Sequence, residues 1–153
     1  MVEVNKSVTL ICHNDNVNCN DKNNIKKLLE CFGSVTEIAE SEIGMGSELT
    51  SCMPGFIGAI FKVITDEAEK YTALDKKQII QMVIETVYGT GKLLLEKEMT
   101  FDNLIDRVAR KGGITEEGAK IIGEKLPEII NEMFIKTLEK RKTITEKAQK
   151  EFV

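Results

Sequence analysis

Lys76-Lys77-Gln78-Ile79-Ile80-Gln81-Met82-Val83-Ile84-Glu85-Thr86-Val87-Tyr88-Gly89-Thr90-Gly91-Lys92-Leu93-Leu94-Leu95 decides the fold class of this 153-residue chain. Asp75 just before it and Gln78 within it have the spacing of a capping box, in which two side chains satisfy each other's backbone donors at a helix start. The stretch is therefore expected to form one long helix. Its apolar residues, from Ile79 to Leu95, wrap most of the way round. A helix apolar on nearly every side must be covered on nearly every side, and a small helical domain has few neighbours to offer. The surface reads as a subunit interface, so a homodimer is expected. Gly89 and Gly91, with Gly55 and Gly58 upstream, would let helix backbones approach closely. An interior glycine costs a soluble helix roughly 1 kcal/mol relative to alanine, which suggests tight packing as the compensation.

The same helical period extends in both directions. After Pro54, the positions Phe56, Ile57, Ile60, Phe61, Ile64, Ala68 and Tyr71 recur at three- and four-residue spacing and predict a long amphipathic helix. Downstream, Thr100 can cap a short helix through Val108 with Phe101, Leu104 and Ile105 facing inward. The chain then breaks at Lys111-Gly112-Gly113. Thr115 is expected to cap the following helix, and Pro127 to open a last one carrying Ile129, Ile130, Met133, Phe134 and Leu138.

The first forty residues have a different character. Val8-Thr9-Leu10-Ile11-Cys12 is a short β-branched apolar run followed by turn-forming residues from Asn14 to Asn20. Asp21 can cap a helix with Ile25, Leu28, Leu29 and Phe32 on one face, and Gly33 can supply its left-handed stop. A second strand is expected at Val35 to Ile38. Two parallel strands alone cannot cover both faces or satisfy their edges, so this strand-helix-strand unit reads as the end of a larger sheet whose beginning is missing. The expected division is 1–40 as that remnant, 41–142 as a helical domain and 143–153 as a polar tail.

A formal net charge of -4 argues against a nucleic-acid surface, which needs a clustered excess of Lys and Arg. The longest apolar run falls far short of a membrane span, and Met1 to Lys6 resembles no export signal, so a cytoplasmic location is expected. The four cysteines, Cys12, Cys19, Cys31 and Cys52, have no C-x-x-C spacing, and His13 has no second imidazole, which speaks against metal binding. Small packed side chains are the simpler reading of these thiols.

Gly112-Gly113-Ile114-Thr115 is the most chemically suggestive stretch. Two glycines before a helix N-terminus can expose several N–H groups to a carboxylate or phosphate. The simpler reading is a turn between helices with Thr115 as N-cap. Gly44-Met45-Gly46 lacks the third glycine of a dinucleotide fingerprint, and Gly89-Thr90-Gly91-Lys92 is followed by Leu93 where a P-loop needs Ser or Thr. With no G-x-G-x-x-G after a strand, no cofactor is expected for this chain alone.

Three segments together resemble the pyrroline-5-carboxylate reductases. Leu49-Thr50-Ser51-Cys52-Met53-Pro54-Gly55-Phe56-Ile57 is similar to the Leu-Ser-Gly-Ser-Gly-Pro-Ala-Tyr stretch that opens that family's helical domain. Gly89-Thr90-Gly91-Lys92-Leu93-Leu94-Leu95 is similar to its Gly-Ala-Ala-Lys-Leu-Leu segment, and Val108 to Gly118 resembles its Val-Thr-Ser-Pro-Gly-Gly-Thr-Thr signature. The form Gly-Gly-Ile-Thr-Glu-Glu-Gly resembles the reductase-like branch associated with late-competence operons more than the standard proline-making enzymes.

The resemblance implies a mainly α fold: a helical dimerisation domain like the C-terminal domain of 6-phosphogluconate dehydrogenase, preceded by a strand-helix-strand remnant of a Rossmann domain. It implies an interleaved homodimer, with higher oligomers in some relatives. Complete relatives pass a hydride from NADPH or NADH to 1-pyrroline-5-carboxylate, giving proline. By the same resemblance, the backbone donors of Gly112, Gly113 and Ile114 would bind the substrate carboxylate, and the Thr115 hydroxyl would lie near the imine nitrogen as the catalytic group. Arg110-Lys111 replaces the family's Ser-Pro and Ser51-Cys52-Met53 its Gly-Ser-Gly, so a noncatalytic dimerisation module derived from the family is the alternative.

Overall fold

The computed structural model describes residues 1–151. The chain divides into two compact units, Ile57–Met133 and a unit made of Met1–Phe56 with the segment from Phe134 onward.

In the second of these, strands β1 (Ser7–Ile11) and β2 (Gly33–Glu37) pair in parallel, from Ser7 opposite Gly33 to Ile11 opposite Glu37, with helix α1 (Cys19–Glu30) as the crossover. Ser7 begins the sheet and is buried, its Oγ donating to Phe32 O at 2.6 Å. Gly33 has φ +147°, and a Cβ there would stand 2.1 Å from Ser7 O. The residue thus opens β2 rather than closing α1, which ends at Glu30 with Cys31 in an ordinary helical conformation.

The cap of α1 also differs from the expectation. Asn18 is the N-cap, its Oδ1 accepting from Asp21 N–H at 2.9 Å, while Asp21 sits three residues into the helix and accepts from Asn18 Nδ2 at 2.7 Å. Both residue types make good caps, and the earlier one wins because its side chain reaches the N3 amide while Asp21 still benefits from the positive helix end. Cys12, Cys19 and Cys31 are exposed rather than packed, since they lie at element ends with nothing layered over them.

Helix α2 (Ile43–Ser47) packs on the sheet at Gly46, where a Cβ would meet Leu10 Cδ1 at 2.8 Å and Ile38 Cδ1 at 3.0 Å. Glycine there lets a helix backbone lie on the strands. A single π turn, Glu48–Cys52, connects α2 to α3 (Met53–Ala68).

In the unit Ile57–Met133, α3 is followed by α4 (Lys76–Glu96), α5 (Phe101–Val108) and the first part of α6 (Ile114–Glu151). The capping box of α4 forms as expected: Asp75 accepts from Gln78 N–H at 2.9 Å and Gln78 accepts from Asp75 N–H at 3.2 Å. Thr100 caps α5 by accepting from Asn103 N–H at 3.1 Å. Lys76 ties the α3–α4 connection together, donating to Asp66 at 2.5 Å and Glu69 at 2.9 Å, and Asp66 also accepts from Lys62.

Pro127 opens no new helix; it lies inside α6. The ring removes one amide donor, but helix-forming residues on both sides, Glu124-Lys125-Leu126 and Glu128-Ile129-Ile130, contain no turn signal that would stop the helix there. The segment expected as a polar tail continues α6 as far as Glu151, the last described residue of it.

Candidate functional site

The long helix that decided the fold is bare. Ile79 is the one fully buried apolar side chain among the described residues, 3% exposed, whereas Met82, Ile84, Val87, Tyr88 and Leu95 of the same helix are exposed, Tyr88 at 72% and Leu95 at 81%. A Cβ added at Gly55, Gly58, Gly89 or Gly91 would meet nothing within 4 Å, so among the described residues no helix uses the approach these glycines permit. Phe101 and Ile105, expected to face inward, are also exposed, because α5 has no covering layer on that side. The chain exposes 12517 Å², against roughly 7,800 Å² for a folded monomer of this mass. Contiguous exposed apolar side chains, as on this helix, mark an interaction face.

The glycine loop lies between α5 and α6. Gly112 adopts φ +74°, a conformation that favours glycine. Gly113 N–H donates to Arg110 O at 2.8 Å, and Gly113 O accepts from Glu117 N–H at 3.4 Å as the first bond of α6. Thr115 is therefore not the cap. It is the second residue of the helix, and the capping work falls to Glu116, whose Oε2 accepts from Gly112 N–H at 2.5 Å. Two of the three expected backbone donors are thus engaged internally, one of them by a carboxylate. Ile114, the third, is 95% exposed and begins the helix.

A crevice of about 630 Å³ lies at the carboxyl ends of β1 and β2, lined by residues including Cys12, His13, Asn14, Glu37 and Glu40. Ligands of open parallel sheets bind at this edge. The sequence reading, which took Cys12 as a packed thiol and weighed His13 only for metal binding, did not single out this crevice.

Arg141 reaches from α6 to the π turn. Its Nε and Nη2 both donate to Oε1 of Glu48, at 3.1 and 2.7 Å, and Nη2 lies 3.6 Å from Cys52 Sγ. Glu48 is 1% exposed, and its other oxygen, Oε2, has no hydrogen-bond partner among the described residues, an omission that costs about 1–3 kcal/mol. Burial pushes the Glu48 carboxyl up, but hydrogen bonds from Arg141, Thr137 and Cys52 together with the charge of Arg141 more than offset this and hold its pKa below the ordinary value. The bond to Glu48 raises Arg141 in turn.

Residues 40–144 match the family described as pyrroline-5-carboxylate reductase dimerisation. The chain belongs to this family. Pyrroline-5-carboxylate reductase 3 of Bacillus subtilis is 40% identical over 142 residues, which cover 93% of this chain and 52% of that protein. The Streptococcus pyogenes 1-pyrroline-5-carboxylate reductase structure superposes with a TM-score of 0.82 at 21% identity, over 93% of this chain and 55% of that one. The Plasmodium falciparum pyrroline carboxylate reductase, solved with NADP bound, gives 0.71 at 20% identity, over 89% and 50%. The expected fold class, a mainly helical domain after a strand-helix-strand unit, therefore holds. The chain spans about half the length of the relatives it matches. Among the described residues no helix is long and apolar enough to cross a membrane.

Proposed function

We propose that this chain is the dimerising, substrate-loop half of a pyrroline-5-carboxylate reductase. Two copies cover each other's α4, and a dinucleotide-binding domain of the kind the relatives' greater length accommodates supplies NADPH or NADH. The observation that supports this most is the family match over residues 40–144, which includes both the bare helix and the glycine loop.

In this reading Gly112, Gly113 and Ile114 take the substrate carboxylate at the positive end of α6, after Glu116 swings away from Gly112 N–H. Thr115, free of a capping duty, turns its hydroxyl to the imine nitrogen and helps to place a proton there. The cofactor supplies the hydride.

The test joins this chain, by mixing and by fusion, to the nucleotide-binding domain of the Bacillus subtilis relative and follows NADPH absorbance with 1-pyrroline-5-carboxylate. Oxidation that needs both parts is expected. A folded fusion that leaves NADPH untouched would favour the second reading, a noncatalytic dimerisation module. The carboxylate of Glu116 on Gly112 N–H is the observation on that side.

A further inference from the structure

The start of α6 carries a carboxylate of its own at the point where the proposed function puts the substrate's. Glu116 Oε2 accepts from Gly112 N–H at 2.5 Å, a charge-assisted hydrogen bond beside the positive end of the helix. The bond reaches past Gly113, whose N–H already donates to Arg110 O, to the exposed Gly112, whose N–H water can serve equally well. Glu116 is half-buried in this position, whereas the exposed Glu117 side chain makes no hydrogen bond among the described residues. The amides of Ile114, Thr115 and Glu116, in the first turn of α6, have no acceptor within the helix. Lys120, one turn on, is spaced to receive the Glu116 carboxylate when it leaves the loop.

We infer that Glu116 is an internal competitor for the substrate carboxylate, an autoinhibitory contact that rests on the reading of Gly112, Gly113 and Ile114 as the carboxylate site. It occupies a donor of the loop until a ligand displaces it. An acidic side chain that reaches back from the first turn is also a common helix cap, and at rest the two roles look the same. They differ in sign. A cap holds the loop in its working shape, so its loss weakens binding. A competitor leaves only a fraction of the molecules with the loop free and reduces the apparent affinity by that fraction, so its loss strengthens binding.

The amide resonances of Gly112 and Ile114, followed by NMR in the whole chain during titration with L-proline, read this competition without any reductase activity. Glu116→Ala is expected to bind L-proline about tenfold more tightly than the wild type, and Glu116→Gln, which keeps an acceptor but loses the charge, to fall between them. Glu117→Ala removes an equal charge but no contact, and should stay within about twofold of the wild type. In the fusion with the nucleotide-binding domain, Glu116→Ala should lower KM by about tenfold with kcat unchanged. Equal or weaker L-proline binding by Glu116→Ala overturns the competitor and leaves the carboxylate site standing. An equal gain in Glu117→Ala also overturns it, because general repulsion would then account for both. If neither amide responds to L-proline at tens of millimolar in any of these proteins, the carboxylate site falls together with the competitor.

Discussion

Arg141 places both Nε and Nη2 on one oxygen of Glu48, a residue 93 positions earlier, and so fastens the C-terminal part of α6 to the π turn that precedes α3. Removing the guanidinium leaves a buried carboxylate with no counter-charge. Arg141→Met is expected to lower unfolding stability by about 3 kcal/mol at pH 7, and the Glu48→Met, Arg141→Met pair to recover most of it. Urea melts of the three proteins check this; equal loss in the single and double variants would contradict it.

The same pair sets an acid limit. Glu48 has a folded pKa below its unfolded value, so its contribution is fully present above the ordinary glutamate range, near pH 4.3, and is lost as pH falls through the depressed value. Between pH 7 and 5 the urea midpoint should stay flat from this source, and below pH 4 it should fall. In Arg141→Met the sign should reverse: burial then raises the carboxyl, the folded state takes the proton more readily than the unfolded one, and stability from this source should rise as pH falls.

Asp66 sits between Lys62 and Lys76, whose hydrogen bonds lower its pKa to about 2. The network is exposed, so salt should screen it. The carboxyl carbon of Asp66, followed by NMR, is expected to titrate near pH 2 at low salt and to move toward the ordinary aspartate value in 1 M salt. Titration near 3.8 at low salt would remove the Lys76 connection between α3 and α4 from the account.

Gly33 is the position least open to change. Its φ of +147° and the 2.1 Å approach of a Cβ to Ser7 O involve backbone on both sides, which cannot move aside cheaply. Gly33→Ala is expected to destabilise the unit holding the sheet by on the order of 3 kcal/mol. Hydrogen exchange at Thr9 and Val35 should report it first, and unchanged protection would contradict it.

Thr115→Val separates structure from chemistry. Because Gly113 and Glu116, not Thr115, close the start of α6, the change should leave stability within about 0.5 kcal/mol. In a reductase joined to its nucleotide-binding domain it should lower kcat by about 100-fold if the hydroxyl helps place the proton. Thermal melts and NADPH oxidation measure the two effects on one preparation.

What could be read from the sequence follows the range of the interactions. The capping box of Asp75 and Gln78, the Thr100 cap and the parallel pairing across α1 depend on residues a few positions apart or on simple periodicity, and they formed as expected. Asn18 displaced Asp21 as a cap because two suitable side chains lay three residues apart and only geometry chooses between them. Gly112 and Glu116 show the same limit at the glycine loop, where an acidic residue in the first turn reached back and relieved Thr115 of its role. Pro127 was read by its usual habit, while its neighbours carried the helix through. The Glu48–Arg141 pair left no trace in the sequence, since nothing local connects two charges so far apart.

The bare face of α4 is the claim on which the rest stands, and the mass of the particle in solution tests it directly. Sedimentation velocity at micromolar concentration should give a species of twice 17.1 kDa, and Ile84→Glu with Leu95→Glu, two exposed positions on that helix, should shift it to one chain. A well-folded wild-type monomer at the same concentration would contradict the account.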